Sequence, residues 1–182
     1  MKKILIVSGH PNIDGDSVAN KAMLEVYGEM LPEAEIDRLD VLYPDYKFDA
    51  AAEQKKLIDA DVILLQTPVF WYGPSALTQK WIEDVFVRGF SHGSNGNAVA
   101  GKKLFAVMTA GVPESDYTGA IKPEDLFVSV KGLCDLTGME FAGYKLLFDV
   151  PYSGRTSDEA CAEMASRAKK AAAEVAEAIK GL

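Results

Sequence analysis

"KKILIVSGHPNIDGDSVAN", residues 2–20, opens on an unbroken apolar run and closes on a serine followed by a helix-like pattern. The run does not alternate, so it suits a strand buried on both faces of a parallel sheet. Gly9 and Pro11 end it, and Val18, Ala22, Val26 and Met30 then recur at helical spacing. Three more runs repeat the strand half of this unit: "DVILLQTP" (61–68), "KKLFAVMTA" (102–110) and "YKLLFDV" (144–150). "AEIDRLDVL" (34–42) alternates weakly and reads as an edge strand with Ile36, Leu39 and Val41 partly inward. Helical patterns fall between the runs, over 17–30, 51–59, 74–87, 122–137 and 158–180. Pro74 suits a first helical turn, and Ser157 or Asp158 suits the cap of the last helix. Strand and helix alternate five times without a linker. The expected fold is α/β, a doubly wound sheet of five parallel strands with helices on both faces, in one domain over 1–182.

Composition narrows the function classes. The 182 residues carry a net charge of −8, and the pI near 4.8 argues against nucleic-acid or anionic-membrane surfaces as partners. Cys134 and Cys161 follow no metal or redox spacing and read as free thiols in a reducing compartment. The start, "MKKILIVSGHP", is too short in its apolar run for a signal peptide. No apolar stretch approaches the ~18 residues of a membrane span. A cytoplasmic protein is expected. His10 and His92, without clustered cysteines, make a catalytic metal site unexpected, and His92 reads as a solvated loop residue. No G-x-S-x-G elbow supports a Ser-His-Asp triad.

Doubly wound sheets bind ligands beyond the carboxyl ends of their strands. Three segments lie there. In the first, Gly9 and Gly15 enclose five residues and Asp16-Ser17 follows, so the lysine of a triphosphate loop is missing; G-x-G-x-x-G is absent as well. What remains is a turn offering the Ser17 hydroxyl and backbone donors to one compact phosphate, or else a simple helix cap by Asp16 or Ser17. Asp14 and Asp16 are expected to face solvent or cap the helix, away from the phosphate. The second segment, "TPVFWYGPSALTQKWIEDVF" (67–86), sets Phe70, Trp71 and Tyr72 in a loop between two prolines. No periodicity buries all three on one face, so a planar aromatic ligand, a satellite core or a subunit contact must cover a ring. The third, "TAGVPESDYTG" (109–119), is an ordinary turn in which Gly111 also allows close backbone approach to a ring's carbonyls. Phosphate, aromatic ring and polar rim together describe flavin mononucleotide.

These segments carry a family resemblance. "GHP…SVAN" is similar to an H-P-x(n)-S-x-x-N phosphate loop, and the Trp71/Trp81 block to P-[LM]-x-W-[YF]-x-x-P-A-x-L-K-x-W-[IF]-[DE]-x-V-F. "RGFSHGSNGNAVAGKKL" (88–104) resembles a G-F-A-[YF]-G…L-x-G-K loop, and 109–119 a T-T-G-G-x(n)-Y-x-x-G segment. The chain thus resembles the flavodoxin-like NAD(P)H:quinone oxidoreductases of the DT-diaphorase and potassium-efflux ancillary type. The resemblance implies a flavodoxin-like domain that binds FMN, with FAD as the alternative, and uses NAD(P)H as co-substrate. It implies that His10, Ser17, Val18, Ala19 and Asn20 hold the phosphate and ribityl end. Pro68, Val69, Phe70, Trp71 and Tyr72 would line the isoalloxazine, and Thr109, Ala110, Gly111 and Val112 its carbonyl edge. Tyr117 would face the substrate. Two departures stand out: Thr-Ala-Gly-Val replaces Thr-Thr-Gly-Gly, and Pro123 falls near the place of a histidine found in animal relatives.

The implied activity is ping-pong reduction of a quinone, nitro or azo compound by NAD(P)H, with no side chain identified as the catalytic acid or base. The implied assembly is a homodimer meeting near 70–72 and 88–101. A non-catalytic electron carrier, or a regulatory subunit of a membrane transporter, is the alternative.

Overall fold

The computed structural model describes residues 2–182. In chain order the elements are β1 (Ile4–Ser8), α1 (Ile13–Asp16), α2 (Val18–Met30), β2 (Glu35–Arg38), α3 (Leu39–Leu42), α4 (Ala50–Asp59), β3 (Val62–Phe70), β4 (Gly73–Pro74), α5 (Ala76–Val85), β5 (Lys103–Thr109), α6 (Val128–Thr137), β6 (Glu140–Leu147) and α7 (Asp158–Gly181). Five strands pair in the order β2-β1-β3-β5-β6, all parallel, and the two-residue β4 folds back antiparallel on the end of β3. The order reverses between β1 and β3, so their carboxyl ends flank the crevice where such sheets take ligands.

Residues along each central strand divide between two cores. Leu5, Val7, Ile63, Leu65, Leu104 and Ala106 meet α3–α6, with Leu57, Trp81 and Phe127 among the partners. Ile6, Val62, Leu64, Phe105 and Val107 meet α2 and α7 instead. Continuous apolar runs follow from this, because both pleat faces are dry. α7 packs with small residues, Ala168, Ala171, Ala172 and Ala176, beside Val175 and Ile179.

The ends of several elements differ from the sequence reading. The last strand begins at Glu140 rather than at 144 and stops at Leu147, so Phe148–Val150 belong to the loop beyond it. Pro74 lies in β4, and Ser75 caps α5 by accepting from the Thr78 amide. A 3₁₀ turn over Pro123–Phe127 precedes α6. Ser157 caps α7, as one of the two expected residues.

The edge strand is the clearest correction. Ile36 and Val41 are exposed, whereas Asp37 is buried, because the chain turns at Arg38 into α3 and brings only Leu39 inward. Asp37 accepts from Lys56 Nζ at 2.8 Å, and Lys56 also donates to Glu53 at 2.6 Å. Glu53 in turn accepts from Tyr43 and from Trp81 Nε1, each at 2.8 Å. Two buried carboxylates thus share one ammonium. Burial, with the neighbouring Glu53, pushes the Asp37 carboxyl up to about 7. Folded Asp37 therefore keeps a proton that the unfolded chain has released above about pH 4, and its share of stability is lost as pH rises toward 7. Asp37→Asn is expected to gain on the wild type between about pH 4 and about pH 7, read by urea unfolding at each pH. A gap that stays constant would remove this assignment.

Candidate functional site

A cavity of about 580 Å³ opens beyond the carboxyl ends of β1, β3 and β5. It is lined by residues of all three predicted segments: His10 and Ser17 from the first, Pro68 to Phe70 from the second, Thr109 and Gly111 from the third. Its size falls in the range of about 300–1,000 Å³ usual for small-molecule sites.

Ser17 sits at one end. It caps α2, its Oγ accepting from the Asn20 amide and from Asn20 Nδ2, both at 3.0 Å. With its acceptor positions engaged, the Ser17 hydroxyl proton is free to donate into the cavity. The first amides of α2, on Val18 and Ala19, lack intrahelical partners, so this end has the chemistry of an anion site. Asn20 is buried and fully committed: its Nδ2 also donates to Thr109 Oγ1 at 2.9 Å, and its Oδ1 accepts from Gln66 at 3.0 Å. It ties α2 to β3 and β5 and so positions Ser17 and Thr109.

His10 lines the same end and is buried. Burial, despite the nearby carboxylates of Asp16 and Asp40, holds its imidazole below the ordinary histidine value. The ring is therefore neutral at pH 7. Its Nδ1 accepts from the Asn12 amide at 3.2 Å, which puts the proton on Nε2 as a donor. Asp14 and Asp16 do not cap; Asn12 caps α1 and Ser17 caps α2. Asp14 is exposed and pairs with Lys21 and Arg38, whereas Asp16 lines the cavity and accepts from Asn12 Nδ2.

The other end is apolar. Pro68 pairs with Thr109 across β3 and β5, which aligns the second and third segments side by side. Phe70 is 46% exposed and stands edge-on to His10, with ring centroids 6.3 Å apart. Trp71 and Tyr72 do not line the cavity. They form the two-residue turn between Phe70 and Gly73, and both hold positive φ, 49° and 64°. Such turns favour Asn-Gly, and a bulky residue there is strained by about 1–2 kcal/mol. Trp71 is 97% exposed. Tyr117 is buried beneath Tyr72, edge-on at 6.3 Å, and packs on Phe148. Ala110 is buried and Val112 exposed outside the lining. His92 bonds to Ser91 in its own loop, away from the cavity. No group of residues suited to a metal ion occurs among the described residues, and none of their helices is long and apolar enough to cross a membrane.

Sequence reasoning missed Val150 and Tyr152, which complete the wall from the loop after β6. Applying the carboxyl-end rule to the fourth apolar run would have found them.

A sequence profile described as the flavodoxin-like fold matches residues 2–172. The chain belongs to that family. The ancillary protein KefF of the glutathione-regulated potassium-efflux system from Enterobacter sp. (strain 638) is 41% identical over 114 residues, 63% of this chain and 64% of that protein. The match therefore spans just under two thirds of that relative's length. General stress protein 14 of Treponema denticola, solved in complex with FMN, superposes with a TM-score of 0.82 at 23% identity, over 98% of this chain and 99% of that one. The NAD(P)H:quinone oxidoreductase of Methanothermobacter marburgensis gives 0.72 at 18%, over 94% and 97%. At these identities the two superpositions establish the shared fold.

Proposed function

We propose that this flavodoxin-like chain binds flavin mononucleotide and reduces a quinone, or a nitro or azo compound, at the expense of NAD(P)H. One observation carries the reading: the three strand-end segments line one cavity, with an anion-suited helix start at one end and an apolar slot at the other. The FMN complex of the Treponema protein and the quinone reductase activity for which the Methanothermobacter enzyme is named support it.

The fit follows from the donor set. Ser17 Oγ, the first α2 amides and neutral His10 Nε2 would supply hydrogen bonds to a phosphate, while Pro68 to Phe70 and Gly111 offer an apolar wall to a ring. When bound, the flavin supplies the hydride chemistry, taking two electrons from nicotinamide and passing them on. The chain's own work is to orient the ring, shield one face with the Pro68–Phe70 wall and leave the other face open for substrates to alternate. The third segment, at Gly111, would offer a backbone amide to the ring's carbonyl edge, where a donor steadies added negative charge. No acid or base side chain is required. The strained, exposed Trp71–Tyr72 turn supports a homodimer in which a second copy covers it and helps bound the substrate space.

Ser17→Ala is expected to weaken FMN binding about tenfold and to lower stability by about 1 kcal/mol through loss of the cap, read by fluorescence titration and urea unfolding. The activity test is to purify the protein, look for flavin absorbance, and follow NADPH and NADH oxidation with a soluble quinone. A yellow protein without turnover would leave the second reading, a flavin-binding ancillary subunit of a potassium-efflux transporter, which the name of the Enterobacter relative favours. A protein that takes up neither FMN nor FAD would overturn both.

A further inference from the structure

Arg155, in the loop between β6 and α7, stands behind the cavity lining and bridges Tyr152 to the turn at Gly15. Its Nη1 donates to the Gly15 carbonyl at 2.9 Å and its Nε to the Tyr152 carbonyl at 3.3 Å. The guanidinium carbon lies 3.7 Å from the centroid of the Tyr152 ring. Tyr152 lines the cavity, and Gly15 immediately precedes the lining pair Asp16 and Ser17. Among the described residues, Arg155 has no carboxylate partner and its Nη2 donates to no atom. The charge is felt at His10, where it adds to the effect of burial.

The electrostatic situation at the Ser17 end makes this cation consequential. The two acids that His10 feels there are Asp16 and Asp40. Asp40 is neutralised by Arg38 at 2.6 Å, but among the described residues Asp16 is met only by Asn12 Nδ2, a neutral donor. Ser17 Oγ and the α2 amides are neutral donors. A phosphate monoester carries between one and two negative charges at neutral pH. Without Arg155 it would enter beside Asp16 with no opposing charge. A guanidinium with donors to spare suits phosphate oxygens and, held on Tyr152 and Gly15, is already oriented.

We infer that Arg155 reads the terminal phosphate of the flavin, so that the site selects flavin mononucleotide over riboflavin, which has the same ring and ribityl chain but no phosphate. The inference rests on the flavin reading above and adds the residue that sets its selectivity. Arg155 also staples the loop after β6 to the phosphate turn, so a purely structural role must be told apart from recognition.

The test titrates flavin-free protein with FMN and, separately, with riboflavin, following quenching of flavin fluorescence. The wild type is expected to prefer FMN, and more so at low salt than at high salt. Arg155→Ala is expected to weaken FMN by about 10- to 100-fold while changing riboflavin by less than about twofold. Arg155→Lys, which keeps the charge, is expected to remain within about tenfold of the wild type for FMN. Equal weakening of both ligands in Arg155→Ala would overturn the inference in favour of loop stapling. Unchanged FMN affinity in that variant, or a wild type that does not distinguish the two, would overturn it as well. A wild type that binds neither ligand overturns the flavin reading and this inference with it.

Discussion

Trp81→Ala is expected to remove about 3–5 kcal/mol of folding stability, a large part of the 5–15 kcal/mol typical of a domain. The indole is fully buried between α5, the sheet and α4, edge-on to Phe86 with centroids 5.4 Å apart. Two losses combine. Truncation leaves a cavity that a close-packed interior fills only partly. It also strips the Nε1 donor from Glu53 Oε2, a carboxylate already buried and shared with Lys56 and Tyr43. Trp81→Phe separates the two, since it restores most of the volume but not the donor. It should cost about 1–3 kcal/mol and keep the fold. Combining it with Glu53→Gln should then cost less than the sum of the single changes, because Glu53 no longer carries a charge that needs the indole. Urea unfolding of the three variants tests this, and strict additivity would show that Trp81 acts through packing alone.

Gly9→Ala is expected to weaken ligand binding more than Ser17→Ala does, although it removes no group from the cavity wall. A Cβ at Gly9 would overlap Thr78 Oγ1. Thr78 cannot step aside, because its Oγ1 bonds to Thr67 Oγ1 at 2.9 Å and to the Gly9 carbonyl at 3.2 Å. Ser75 Oγ bonds to the same carbonyl. The start of α5 thus grips the exit of β1, and this grip aims His10 into the cavity. Overpacking there should cost about 1–3 kcal/mol and weaken FMN by more than about tenfold as the turn shifts. Adding Thr78→Ala removes the clashing oxygen and should recover part of the stability. The fluorescence titration and unfolding midpoint of the single and double variants check both statements. A Gly9→Ala protein with unchanged affinity would show that the turn accommodates the methyl group.

Much of the site was legible because its parts are local. Ser17 reads as a cap from its place before a helical pattern, and the strand ends are marked by Gly9, Pro68 and Gly111. The misread parts depend on partners distant in the chain. Alternation around 34–42 placed Ile36 and Val41 inward, because hydrophobic patterning cannot register a buried acid such as Asp37 that meets a lysine from α4. Asn20 does line the cavity, but the partners that hold its amide, Thr109 and Gln66 besides Ser17, are likewise distant and cannot be read from its neighbours. Trp71 and Tyr72 were expected along the ring slot. A two-residue turn with positive φ instead carries them past it, and nothing in Phe-Trp-Tyr announces that conformation.

The sequence by itself determined the βα alternation, the two-sided burial of the central strands and the place of three loops at strand ends. These are consequences of side-chain period and of turn residues, which act over a few positions. Only the tertiary structure decided which loops share a cavity and which groups face it. Val150 and Tyr152, which line it, and Arg155, which bonds to the turn at Gly15, come from beyond the last strand, and sheet order alone brings Arg155 to a turn 140 residues earlier. Strand order, buried ion pairs and an unpaired guanidinium are long-range quantities, set by how the layers stack and not by any neighbour in the chain.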